Sequence, residues 1–129
     1  MVHPKHAFQP EDLLAFIEME GFADDWRSLG LGDSDLMTLQ FTIMLRPKGA
    51  PVVPGTGGLR KMRFAPARWK AGKRGAARVG YAYLEEYGVV LLIIAYSKSD
   101  KANLSAAEKK SVRQLIERVE REFSKRPIR

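Results

Sequence analysis

The stretch GTGGLRKMRFAPARWKAGKRGAAR, residues 55–78, holds eight arginines and lysines and not one carboxylate. On an extended strand alternate side chains share a face, so Lys61 and Arg63 point one way while Arg60 joins Met62 and Phe64 on the other. Met62 and Phe64 have the character of core, which sends Lys61 and Arg63 outward. Arg78 opens a second strand-like segment, and Lys98 closes a third, two residues beyond Tyr96. If these segments are neighbours in a sheet, Lys61, Arg63, Arg78, Tyr96 and Lys98 converge on one concave face. Arginine grips two phosphoryl oxygens at once and lysine adds a mobile point charge, so the ligand such a cluster suits is a phosphate.

A cluster of this kind can cleave RNA without a metal. The 2′-hydroxyl of the substrate is an internal nucleophile, and the protein need only orient it and stabilise the charge that develops on the phosphate and the leaving oxygen. A lysine crowded by cations has its charged form disfavoured, which makes Lys61 or Lys98 a candidate general base or acid. Tyr96 can stack on a base or donate a proton. Arg68, Trp69 and Lys70 interleave an aromatic with cations, as single-strand binding surfaces do, although Trp69 also suits an anchor of its loop to the core.

Other chemistries are poorly supplied. The absence of cysteine excludes disulfides, thiolate metal sites and cysteine nucleophiles. The two histidines, His3 and His6, lie near the N-terminus, so neither a histidine metal site nor a Ser-His-Asp triad is expected, and no cofactor is implied. Carboxylates are too sparse near the basic strands for a paired-carboxylate hydrolase. Gly55, Gly57 and Gly58 match neither phosphate-loop pattern and lead into a strand, which makes GTGG a turn.

The charge layout agrees with a polyanionic partner. Residues 1–35 carry eight acids and two bases, whereas ten bases and no acid lie between Asp35 and Glu85. Soluble surfaces ordinarily intersperse the signs. With 129 residues, 45% hydrophobic and 29% charged, the chain has the composition of one globular domain spanning 1–129. Its longest apolar run, VVLLIIAY, has the length of a buried strand and not of a membrane span. No secretory signal pattern opens the chain, so a cytoplasmic location is expected.

The elements that must position these residues follow from periodicity. LLAFIEM at 13–19 suits a strand or the start of a helix. Residues 22–30 and 34–47 read as two helices, the second capped by Ser34 or Asp33, with Leu36, Leu39, Gln40, Ile43 and Met44 at helical spacing and a stop before Pro47. A Pro/Gly loop at 47–58 precedes strands at 59–65, 77–85 and 89–98, with Gly88 as the turn between the last two. The third of these strands is apolar on both faces and therefore central. Ser105 and Glu108 form a capping box for a closing helix whose stripe is Val112, Leu115, Ile116, Val119 and Phe123. The order is strand, two helices, three antiparallel strands and a helix, an α+β domain.

The segments VVPGTGGLRKMRFA, GKRGAARVGYAY and VVLLIIAYSKSDKANLS, followed by the capped helix, resemble in order and spacing the RelE/HigB-type toxins of bacterial type II toxin–antitoxin systems, in particular their HigB-like subgroup. The resemblance covers residues 52–120. It implies a small antiparallel-rich sheet with an N-terminal helical hairpin and a C-terminal helix, and leaves residues 1–12 as an extension. It implies a metal-free mRNA interferase that cuts messages in the ribosomal A site and is neutralised by a helix-turn-helix antitoxin of HigA-like kind. By motif, Lys61, Arg63, Arg78 and Lys98 are its catalytic cations, while Arg60, Lys73 and Arg74 hold RNA. Ala76 replaces the second glycine of the GKRGG pattern, and KSD at 98–100 stands where KNE is usual. Two alternatives remain open: a ParE-like gyrase inhibitor on the same fold, and a degenerate member that only binds antitoxin or RNA.

Overall fold

The computed structural model of the chain describes residues 13–69, 75–101 and 103–125. The elements are β1 (Ala15–Glu18), α1 (Phe22–Ser28), α2 (Asp33–Leu45), β2 (Leu59–Phe64), β3 (Ala77–Leu84), β4 (Val89–Ser97) and α3 (Ala106–Ser124). They build one four-stranded sheet in the order β1-β4-β3-β2. The β2, β3 and β4 strands pair antiparallel, and β1 joins β4 in parallel, so the ambiguous LLAFIEM segment is an edge strand of a mixed sheet. As its all-apolar sequence requires, β4 lies inside the sheet with both faces covered.

One face of the sheet packs on α1 and α2. Phe22 and Trp26, one helical turn apart, stack at 5.6 Å and join Leu39, Ile43, Phe64, Val79, Tyr81, Val90 and Leu92 in a single core. The opposite face packs on α3, where Val112 and Ile116 meet Leu59, Leu91, Ile93 and Tyr96, and Leu115, Val119 and Phe123 pack at the margin. The capping box of α3 forms as expected: Glu108 N–H donates to Ser105 Oγ at 3.1 Å, and Ser105 N–H donates to the Glu108 carboxylate at 2.8 Å.

The start of α2 differs from expectation. Its N-cap is Gly32, not Ser34 or Asp33, because Asp35 occupies the third helical position and its carboxylate accepts the Gly32 N–H at 2.8 Å. An acid reaching back from that position satisfies the N-cap without a hydroxyl there. The helix ends at Arg46, before Pro47.

The sheet also contains a β-bulge that alternation alone does not show. The β3–β4 register runs Arg78↔Tyr96, Val79↔Ala95 and Gly80↔Ile94, then shifts so that Tyr81 pairs with Leu92. Ile93 is the extra residue, and Ile93 and Ile94 both pack on the α3 side. Strict alternation would have put Tyr96 on the face of Val90 and Leu92. The bulge reverses the parity and turns Tyr96 towards α3.

Candidate functional site

The edge strand β2 carries the site because its alternation survives folding intact. Leu59, Lys61 and Arg63 face the α3 side, while Met62 and Phe64 pack with α1 and α2. Register then sets the neighbours. Arg63 pairs with Arg78, and Arg78 pairs with Tyr96, so these three side chains form a row across three strands on one face. Lys61 stands one step along, opposite Gly80.

Arg78 is 7% exposed, which is unusual for a guanidinium. Its Nη1 donates to the Ala76 carbonyl at 2.7 Å. Among the described residues, no carboxylate forms an ion pair with Lys61, Arg63, Arg78 or Lys98. Two like charges directly opposite across a strand pair are destabilising, so the Arg63–Arg78 pair works against the fold.

Tyr96 is buried at the end of the row. Burial pushes its hydroxyl above the usual tyrosine value; Lys101 and Arg78 pull it partly back, and Glu108 pushes it up again. The hydroxyl is therefore protonated at neutral pH, a state suited to donating a proton and not to accepting one. Lys101 reaches over the ring, 5.5 Å from its centroid, and is held there by the Glu108 carboxylate. Sequence spacing missed both Lys101 and Glu108. Their only signal was the capping box, which explained Glu108 without reference to Tyr96.

The remaining expected residues are distributed differently. Lys98 lies one residue past the end of β4, exposed in a turn, and not on the strand row. Arg60 is on the α1/α2 side, where its Nη1 donates to the carbonyls of Ala50 at 2.7 Å and Lys48 at 3.2 Å. Arg68 grips Asp35 with both terminal nitrogens, at 2.7 and 2.9 Å, and also donates to the Gly30 carbonyl. That pairing and the Gly32 N–H hold the Asp35 carboxyl at about 2, well below its usual value. Trp69 is half-buried and packs against the α1/α2 core, the anchoring role weighed for it. Lys70, Lys73 and Arg74 lie outside the described residues.

Arg46, Lys61 and Arg63 also line a cleft of about 560 Å³ between the end of α2, residues 49–51 and β2. Among the described residues, no group of three or more histidines and acids is placed to hold a metal ion. No helix among them is long and apolar enough to cross a membrane.

Three helices on a four-stranded mixed sheet define an α+β domain, and Arg63 and Arg78 on its α3 face have no ion-pair partner among the described residues. No family model matches the chain. Among solved structures it is similar to a double arginine-to-alanine mutant of the E. coli toxin RelE in the free state, at 17% identity and a TM-score of 0.49, covering 70% of this chain and 88% of that one. A likeness at that level transfers no activity, and the functional assignment rests on this chain's own residues.

Proposed function

We propose that the chain is the toxin of a type II toxin–antitoxin pair, a ribosome-dependent endoribonuclease that cleaves mRNA through the 2′-hydroxyl of the message. The observation that carries this reading is the Arg63–Arg78–Tyr96 row, in which two arginines are directly paired in register and neither has an ion-pair partner among the described residues. A fold that bears this repulsion gains from it only when an anion sits between the charges. The motifs around Lys61, Arg63, Arg78 and Lys98, which resemble RelE/HigB-type toxins, supply the nature of that anion.

In this mechanism the 2′-oxygen attacks the adjacent phosphorus as its proton passes to a base, for which Lys61 is the candidate. Arg63 and Arg78 hold the non-bridging oxygens as their charge grows. The bond from phosphorus to the 5′-oxygen breaks, and the departing oxygen takes a proton, for which the protonated Tyr96 hydroxyl is the candidate donor. The products are a 2′,3′-cyclic phosphate and a free 5′-hydroxyl. Lys98, exposed in its turn, adds charge at the rim. A helix-turn-helix antitoxin would silence the protein by covering these cations.

The test is induced expression followed by mapping of message ends. Cleavage within translated codons, lost in Arg78→Ala and Lys98→Ala proteins that remain folded, is the expected result. Growth arrest with intact messages and damaged DNA would instead identify a gyrase inhibitor, and unchanged growth with soluble protein would identify a binder without activity.

A further inference from the structure

The cleft beside β2 is a constructed feature and not a gap in packing. Its rim is the segment 46–51, pinned from two sides: the Tyr81 hydroxyl donates to the Pro47 carbonyl at 2.8 Å, and Arg60 donates to the carbonyls of Lys48 and Ala50. Arg46, the C-cap of α2, folds back across this segment. A Cβ on Gly49 would stand 3.1 Å from the Arg46 Cβ and 3.4 Å from its Nε, so Gly49 is small to leave room for that side chain. Arg46 has no ion-pair partner among the described residues, and Glu85 in the adjacent hollow is bound to Lys48 at 2.6 Å.

The lining has two halves. Ile43, Met62 and Pro51 supply apolar surface, Arg46 supplies a cation, and Lys61 and Arg63, whose strand positions face the α3 side, border the cleft at the edge of β2, with no carboxylate among the lining residues. A volume of about 560 Å³ is within the usual range of small-molecule sites, roughly 300–1,000 Å³. A flat apolar group joined to an anion matches this lining, and a nucleotide is such a ligand. Arg63 borders the cleft and stands in the row with Arg78, so the two meet around the edge of β2.

We propose that the cleft is a nucleotide subsite. It receives the base of the nucleotide next to the scissile phosphate against Ile43, Met62 and Pro51, and Arg46 binds that nucleotide's phosphate. The pinning of segment 46–51 by Arg60 gives that residue a place in RNA binding without direct contact. This inference rests on the functional reading above, since it presumes an RNA strand at the row.

The test titrates the folded protein, carrying labelled methionine methyls and labelled arginine side chains, with a short non-cleavable 2′-O-methyl oligouridine. The Met62 methyl should shift saturably and the exposed Met37 methyl on α2 should not. Arg46→Ala should weaken binding and lower the salt slope of log K by about 0.7, the single-strand value for one phosphate contact. Shifts at the Arg78 side chain with Met62 unmoved, or an unchanged salt slope in Arg46→Ala, would overturn the subsite and leave the row intact. Failure of the oligonucleotide to shift either group would overturn the subsite and its RNA premise together.

Discussion

Replacing Arg78 with methionine separates a cation kept for function from one kept for the fold. The substitution keeps a long flexible side chain but removes the charge. Two effects favour the variant. Relief of the opposition to Arg63 contributes about 0.2–1 kcal/mol. Exchanging a buried, unpaired guanidinium for an apolar chain in the Leu91–Tyr96 environment is neutral or gains on the order of 1 kcal/mol. Against them stands the hydrogen bond to the Ala76 carbonyl, worth about 1–2 kcal/mol. The sum lies near zero, so the melting temperature should move by no more than about 5 °C in either direction. Loss of one preorganised cation should meanwhile slow cleavage by about 10²–10³-fold. The assay pairs denaturant unfolding of the purified variant with message-end mapping or single-turnover cleavage on programmed ribosomes. A loss of several kcal/mol would show that Arg78 is a structural residue, and unchanged cleavage in a stable variant would remove it from the site. Either result refutes the argument from opposed charges.

Two further outcomes concern the scaffold. The folded Asp35 carboxyl titrates at about 2 against an ordinary 3.8, so its pairing stabilises the protein above the higher value and is lost as pH falls through the lower one; Arg68→Ala should flatten acid unfolding in that window, with only a small loss of stability at neutral pH because Arg68 is half exposed and screened by solvent. Gly57 has φ +73° and a Cβ there would meet the Arg113 Cγ at 3.0 Å, so Gly57→Ala should destabilise by about 1–3 kcal/mol, with Arg113→Ala relieving the steric share but not the backbone share in a double-mutant cycle.

Much of the fold was legible because its strands alternate or are uniformly apolar, and because α3 begins with a capping box and carries one narrow stripe. The opposite faces of β2 followed from alternation alone, since Met62 and Phe64 left Lys61 and Arg63 only one direction. What alternation could not show was the parity change in VVLLIIAY, where every residue is apolar and no polar residue marks a face. Tyr96 was placed beside Arg78 in the sequence reading by adjacency of strands, and the structure brings it there through the bulge. The fates of Arg60 and Arg68 were equally hidden. Their partners are separated from them by 10 to 38 residues, and a local basic run looks the same whether its guanidiniums bind carbonyls or solvent. In α2 the helical spacing picked the inward face correctly: Leu39 and Ile43 are buried, Leu36, Gln40 and Met44 are half-buried, and Met37, Phe41 and Leu45, outside that stripe, are exposed.

The bulge also governs which changes in chain length β4 can tolerate. Val89 to Ala95 is greasy at every position, so deleting one residue there would still offer hydrocarbon to both layers. Deleting Ile93 would remove the extra residue and leave Tyr96 opposite Arg78, whereas ironing out the bulge at unchanged length, or inserting a residue, would carry the Tyr96 ring from the cationic row into the opposite core. Packing alone therefore places little constraint on the phase of this strand, and the requirement to keep an aromatic hydroxyl beside Arg78 constrains it tightly. Variants that shift the register of this segment would be read out by activity well before they were read out by solubility.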